Sequence, residues 1–191
     1  MKTSTQSSYK LLTALALILT SINTPAYAAD ESNVLSVVTG DWNQDKKTDA
    51  AVLMKNDDLV EIYIFLGQQN NTLKQVLYKS DFIWMGSMEG TVPYLESKGK
   101  KGSFIIMSGN DSIGRNRWSQ ALTIAYREKA FTLGGYTYNS RDTLAPDHSF
   151  ACDLNLFTGK GLRNNKAFKI NAQKIKLKDW SDDNVPTKCQ E

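Results

Sequence analysis

Histidine is almost missing from this chain, and cysteine is scarce: His148, Cys152 and Cys189 are all there is of both. A protein zinc site takes three or four His, Cys or acidic ligands, and two distant cysteines alone do not supply them. There is no G-x-S-x-G turn, no G-x-x-x-x-G-K-[ST] phosphate loop and no dinucleotide glycine fingerprint. The motif-level starting points for an α/β-hydrolase, an NTPase or a dehydrogenase are therefore lacking. Charge of one sign is also lacking. The formal net charge is +3 at pH 7, and Lys2 and Lys10 both precede the first apolar run. The nearly neutral remainder lacks the basic footprint of a nucleic-acid binder. After that first run no long apolar stretch recurs, so no membrane anchor is expected.

What is present begins with a leader. Lys2 and Lys10 give it positive charge, "LLTALALILT" (11–20) is apolar, and Ala26-Tyr27-Ala28 has the small-x-small form read by signal peptidase. The run is shorter than the roughly 20 residues a spanning helix needs. This pattern predicts a secretory signal over 1–28, with cleavage after Ala28, and no cysteine follows the run to carry a lipid anchor. Residues 29–191 then read as a single β-rich domain, periplasmic or secreted, long enough to bury a core. In an oxidising compartment the even cysteine count predicts a Cys152–Cys189 disulfide.

The apolar pattern has period two rather than 3.6. In "LVEIYIFL" (59–66), Val60, Ile62, Ile64 and Leu66 share a face. In "SQALTIAY" (119–126), Gln120, Leu122, Ile124 and Tyr126 share one, and in "SFACDLNLF" (149–157), Phe150, Cys152, Leu154 and Leu156 do. "AFTLGGYTY" (130–138) pairs with the preceding run as a hairpin. "VLSVV", "AAVLMK", "KQVLY", "FIWMG" and "SFIIMSG" are shorter candidates, with "KAFKI" and "KIKLKDW" as the last strands and "TGKG" as a turn. The expected fold is all-β, an antiparallel sheet domain built from hairpins: a sandwich, a barrel or a partial propeller. Lys174, Lys176 and Lys178 share one face of "KIKLK", read as a solvated or edge-blocking stripe in preference to a basic contact surface.

"GDWNQDKKTDAAVL" (40–53) concentrates oxygen side chains. Asp41, Asn43, Asp45 and Asp49 stand at positions 1, 3, 5 and 9 of a calcium-loop pattern, with the Lys47 carbonyl near position 7. Ca²⁺ takes six to eight oxygens, and this spacing offers five. The same residue types also build plain turns by bonding their own backbone.

Gly40, Asp41, Trp42, Asn43, Asp45 and Asp49, followed by "IYIFLG" (62–67), resemble one FG-GAP or VCBS-type repeat over about residues 38–75. The resemblance implies a hairpin blade with a structural Ca²⁺ held by Asp41, Asn43, Asp45, Lys47 and Asp49. The chain departs from the family at Lys46, where a glycine is usual, and it contains one copy of the unit. "GYTYNSRDT" with "CDLNLFTGKGLRN" resembles the end of a class of small exported bacterial proteins.

Trp42, Trp84, Trp118 and Trp180, with Tyr136 and Tyr138, are candidates for a carbohydrate- or protein-binding surface, although Trp84 and Tyr126 are expected in the core. Arg115 and Arg117 flank a loop ending at Trp118, where an acidic group of a partner can dock. His148 lies between Asp147 and Ser149, but sequence neighbours do not form a catalytic triad. No pair among the 20 acids is singled out for glycoside hydrolysis. The expectation is a non-catalytic binding or scaffold domain with a protein or glycan partner. The alternatives are a periplasmic inhibitor or immunity-type protein that blocks a wall-degrading enzyme or toxin through loop 109–118, and a hydrolase.

Overall fold

The computed structural model describes residues 33–57, 59–98 and 102–190. The expected leader and its cut after Ala28 lie outside them. Among the described residues no helix is long and apolar enough to cross a membrane. The fold is all-β, in two antiparallel sheets that do not close into a barrel. Strands β1 (Val34–Gly40), β2 (Asp49–Asn56), β3 (Leu59–Gly67) and β4 (Leu73–Trp84) form the first sheet in that order. The second contains β5 (Tyr94–Ser97), β6 (Ser103–Asn110), β7 (Asn116–Arg127), β8 (Ala130–Asp142), β9 (Ala145–Asn155), β10 (Lys160–Arg163) and β11 (Lys166–Lys169), again in simple sequence order.

Both sheets are meanders because each strand is followed by a short turn, and the period-two pattern decides which face turns inward. Val60, Ile62 and Ile64 of β3, Leu122 and Ile124 of β7, and Phe150, Cys152 and Leu154 of β9 are buried in one continuous cluster. Trp42 caps that cluster from the loop after β1, against Phe104 at 4.6 Å and Phe131 at 5.9 Å between ring centroids. The first sheet thus contributes Leu53, Ile62 and Ile64, and the second Phe104, Leu122 and Leu154, to the same core.

Several local expectations differ from the structure. "KQVLY" and the "FIW" of "FIWMG" belong to one 12-residue strand, β4, which ends before Met85. "KIKLKDW" is not a strand: it makes one bridge, Thr132 to Lys176, and then a 3-10 turn at Leu177–Asp179. Leu177 and Trp180 are fully buried there, so they close over the sheet end while the lysines stay exposed. "TGKG" is only half a turn. Gly159 takes positive φ (71°), whereas Gly161 lies in β10, where an added Cβ would meet the Phe168 ring at 2.5 Å and the Asp153 carbonyl at 2.7 Å. The second glycine serves close packing rather than a turn.

Cys152 and Cys189 form the expected disulfide, with their Cα atoms 5.4 Å apart and 37 positions between them in sequence. It fastens the last 3-10 turn, Thr187–Cys189, to β9. The C-terminal coil is thereby held along the open end of the inner face, where the candidate site lies.

Candidate functional site

The loop 41–48 is shaped by its own hydrogen bonds. Asp49 is wholly buried, and its carboxylate faces backbone amides: Oδ2 accepts from Trp42 N–H at 2.8 Å and Asn43 N–H at 3.4 Å, and Oδ1 from Gly67 N–H at 3.0 Å. The Asp41 carboxylate accepts from the amides of Asp45 and Lys46, both at 3.0 Å. Asn43 Oδ1 accepts from Asp45 N–H, Asp45 Oδ1 accepts from Lys47 N–H, and Asn43 Nδ2 donates to Asp45 Oδ2. Lys46 takes φ of 67°, the conformation a glycine would favour, and Gln44 does likewise at 61°. The Asp45 pKa is lowered by hydrogen bonds from Asn43 and Lys47, which outweigh desolvation, with the Lys47 ammonium 3.6 Å away.

The donor chemistry suits a hard cation. The arrangement is less suited, because Asp49 is turned toward the strand ends. Among the described residues no three His, Cys, Asp or Glu side chains gather as a metal-holding group.

The aromatic residues separate into two sets. Trp42 and Trp180 are core. Trp84, expected in the core, is 38% exposed, and Tyr126 is only half-buried. Phe82 and Ile83 of β4 and Met85 just after it take the buried positions, leaving Trp84 outside the packed centre. Its indole meets Trp118 of β7 at 6.0 Å, and Trp118 stacks on Tyr138 of β8 at 6.2 Å and 22°. These spacings fall within the favourable range for ring pairs.

Trp118 continues the inward face of Gln120 and Leu122 to the margin of the core, where it is half-buried against Trp84 of the other sheet. Trp84, Trp118 and Tyr138 therefore form a shelf. A groove of about 310 Å³ lies on one side of it, walled by Trp84, Gln120, Asp182 and Val185. A second of about 410 Å³ holds Ser140, Asp142 and His148. On the outer face a wider groove of about 760 Å³ is lined by Arg117, Ser119, Asn139, Arg141 and Ser149. Trp118 borders all three.

The two arginines before Trp118 differ in state. Arg115 is spent on Asp142: its Nε donates to Oδ1 at 2.9 Å and its Nη2 to Oδ2. That pairing, with the Leu144 amide, holds the Asp142 carboxyl below its ordinary pKa. Arg117 is half-buried, and its Nη1 is buried without a hydrogen-bond partner.

The connection between β6 and β7 is braced from several sides. Asn110 Nδ2 donates to the carbonyls of Ile113 (2.7 Å) and Asn116 (3.1 Å), and Asn110 Oδ1 accepts from Ile113 N–H at 2.8 Å. Asp111 N–H donates to the Gly90 carbonyl, and Ser112 Oγ to that of Glu89. Ile113, at the tip, is exposed.

His148 is exposed, and the carboxylate in its groove, Asp142, is the one already bound by Arg115. One cluster has no forewarning in the linear sequence. Tyr63 and Tyr78, cross-strand partners with rings 4.8 Å apart, both donate their hydroxyls to Glu61, at 2.8 and 2.9 Å. Only strand register brings them together. No protein-family model matches the chain, and neither a curated protein nor a solved structure matches it.

Proposed function

We propose that this is an exported, non-catalytic binding domain that receives a glycan on the shelf formed by Trp84, Trp118 and Tyr138. The observation that carries the reading is the contiguous row of three rings at the margin of the core, Trp84 from the first sheet and Trp118 and Tyr138 from the second, with Trp84 exposed. Sugar rings present apolar C–H faces to aromatic planes. Ser140 and Asp182 border the shelf with hydroxyl and carboxylate groups that can meet sugar hydroxyls, and the buried Gln120 amide donates to Asp182 Oδ1 at 3.5 Å. Titration of tryptophan fluorescence with a panel of bacterial cell-surface oligosaccharides tests it. Binding must appear and must be lost in Trp118→Ala, with an unchanged circular-dichroism spectrum. A panel without binders, or binding indifferent to Trp118, rejects the reading.

The FG-GAP or VCBS resemblance enters as an architectural role for loop 41–49, which ties β1, β2 and the end of β3 together. Calcium in this reading is an added stabiliser, held by Asp41, Asn43, Asp45 and the Lys47 carbonyl, while Asp49 braces the loop through amides.

A second reading, a periplasmic inhibitor, draws on the braced β6–β7 loop. A pre-shaped loop loses little entropy on docking, and Ile113 stands at its tip. Inhibition of a wall-degrading enzyme that disappears in Ile113→Asp would favour it over the glycan reading.

A further inference from the structure

Resting on the aromatic shelf proposed above, we infer that the glycan is acidic and that Arg117 reads its carboxylate. Three arginines crowd this end of the second sheet, and two are neutralised within the chain: Arg115 by Asp142 and Arg141 by Asp111. Arg117 has no ion-pair partner among the described residues. It sits directly across from Arg141 in the β7–β8 register. Like charges opposed across a ladder are unfavourable, so Asp111 relieves one of the pair and leaves the other uncompensated. Arg117 lines both the outer groove and the groove holding Ser140 and His148, and Trp118 borders each of them.

An unpaired, half-buried guanidinium beside an aromatic platform selects a ligand that joins a carboxylate to an apolar ring face. The planar fork of arginine matches a carboxylate with two parallel hydrogen bonds. Besides the Asp111–Arg141 ion pair, the outer groove has Ser119, Asn139 and Ser149 as neutral donors and acceptors. Hydroxyl groups of a sugar satisfy these better than the side chains of an acidic peptide. The ligand class is therefore a uronic-acid type oligosaccharide.

The test compares a hexuronic-acid tetrasaccharide with its carboxyl-reduced counterpart, which keeps the rings and removes the charge. Both are titrated calorimetrically into the protein at low and at physiological salt. The expected result is about tenfold or greater preference for the acidic form, the scale of one charge-assisted contact, shrinking as salt rises. Arg117→Met removes the preference and leaves affinity for the neutral form intact. Arg117→Lys keeps the salt dependence at lower affinity. Equal binding of both sugars by the parent protein, or a preference that survives Arg117→Met, overturns the inference while the shelf stands. If neither sugar binds, the shelf reading falls with it; if an acidic peptide binds in their place, the ligand class is wrong.

Discussion

Asp49 and Gly67 are 18 positions apart and are joined by a buried hydrogen bond of 3.0 Å from the Gly67 amide to Asp49 Oδ1. The other Asp49 oxygen takes the amides of Trp42 and Asn43. One side chain thus links the loop after β1, the start of β2 and the end of β3. Asp49→Ala would leave three amides without their acceptor, one of them on the core residue Trp42. A buried unsatisfied group costs about 1–3 kcal/mol, so the expected loss is about 3 kcal/mol or more by denaturant titration. Gly67→Ala should also destabilise, because an added Cβ would meet the Thr48 carbonyl at 2.6 Å. Near-parent stability in both variants would show that this junction does not hold the hairpin together.

Calcium should act on top of that junction rather than replace it. Protein treated with chelator is expected to keep its cooperative melt, since the loop amides are already bonded to Asp41, Asp45 and Asp49. Added calcium should raise Tm by the linkage expected for a ligand of the native state, about 2.7 kcal/mol when the ion is at 100 times its Kd. Asp45→Asn should abolish that increment. A melt unmoved by millimolar calcium removes the ion from the account and leaves the hydrogen-bonded turn.

Strand faces were legible in the sequence because alternation is a local property. Val60, Ile62 and Ile64 point inward, as do Leu122 and Ile124. The disulfide was legible from the even cysteine count and the compartment that the leader pattern predicts. What local pattern could not supply is where one sheet stops covering the other. Trp84 looks like a core residue in sequence and is instead exposed, paired with the half-buried Trp118 at the margin of the two sheets. The state of Arg117 was hidden for a similar reason. "RNRW" contains two equivalent arginines until register places Asp142 opposite Asn116, within reach of Arg115. "KIKLKDW" alternates like a strand, but burial of Leu177 and Trp180 turns it into a 3-10 cover.

The Glu61–Tyr63–Tyr78 cluster should give a titration signature. Hydrogen bonds from Tyr63 first, and then from Tyr78, hold the Glu61 carboxyl below its ordinary value. Its contribution to stability is present above the ordinary carboxylate range and disappears as pH falls through the lowered folded value. Tyr63 is shifted the other way, from 10.0 to about 12, mainly by its bond to Glu61. That contribution is complete below pH 10.0 and is lost as pH rises through about 12. Glu61→Gln should bring the Tyr63 and Tyr78 phenols back toward the ordinary value in an ultraviolet titration and flatten the acid limb of stability. An unchanged phenolate titration would mean that the hydroxyl–carboxylate bonds do not persist in solution.

The Cys152–Cys189 disulfide has a consequence beyond stability, because the segment it fastens forms part of the groove. Asp182 and Val185 wall the groove beside Trp84, and Trp180 packs on Tyr136 at 5.9 Å beneath the shelf. All three lie in the coil that the last 3-10 turn anchors to β9. Closing a loop of 37 positions is worth ~4 kcal/mol in the chain-entropy account, and its loss should lower Tm by about 10 °C for a domain of this size. Reduction, or a double Cys152→Ala/Cys189→Ala variant, should also shift tryptophan emission to the red as Trp180 meets water. Affinity at the shelf should weaken, because one wall is no longer fixed. The C-terminal coil should show this first: its amides should exchange faster than those of β7 and β8 before the global melt moves. A reduced protein with unshifted emission and unchanged exchange in residues 177–190 would mean that burial of Leu177 and Trp180 alone holds the coil, with the disulfide idle.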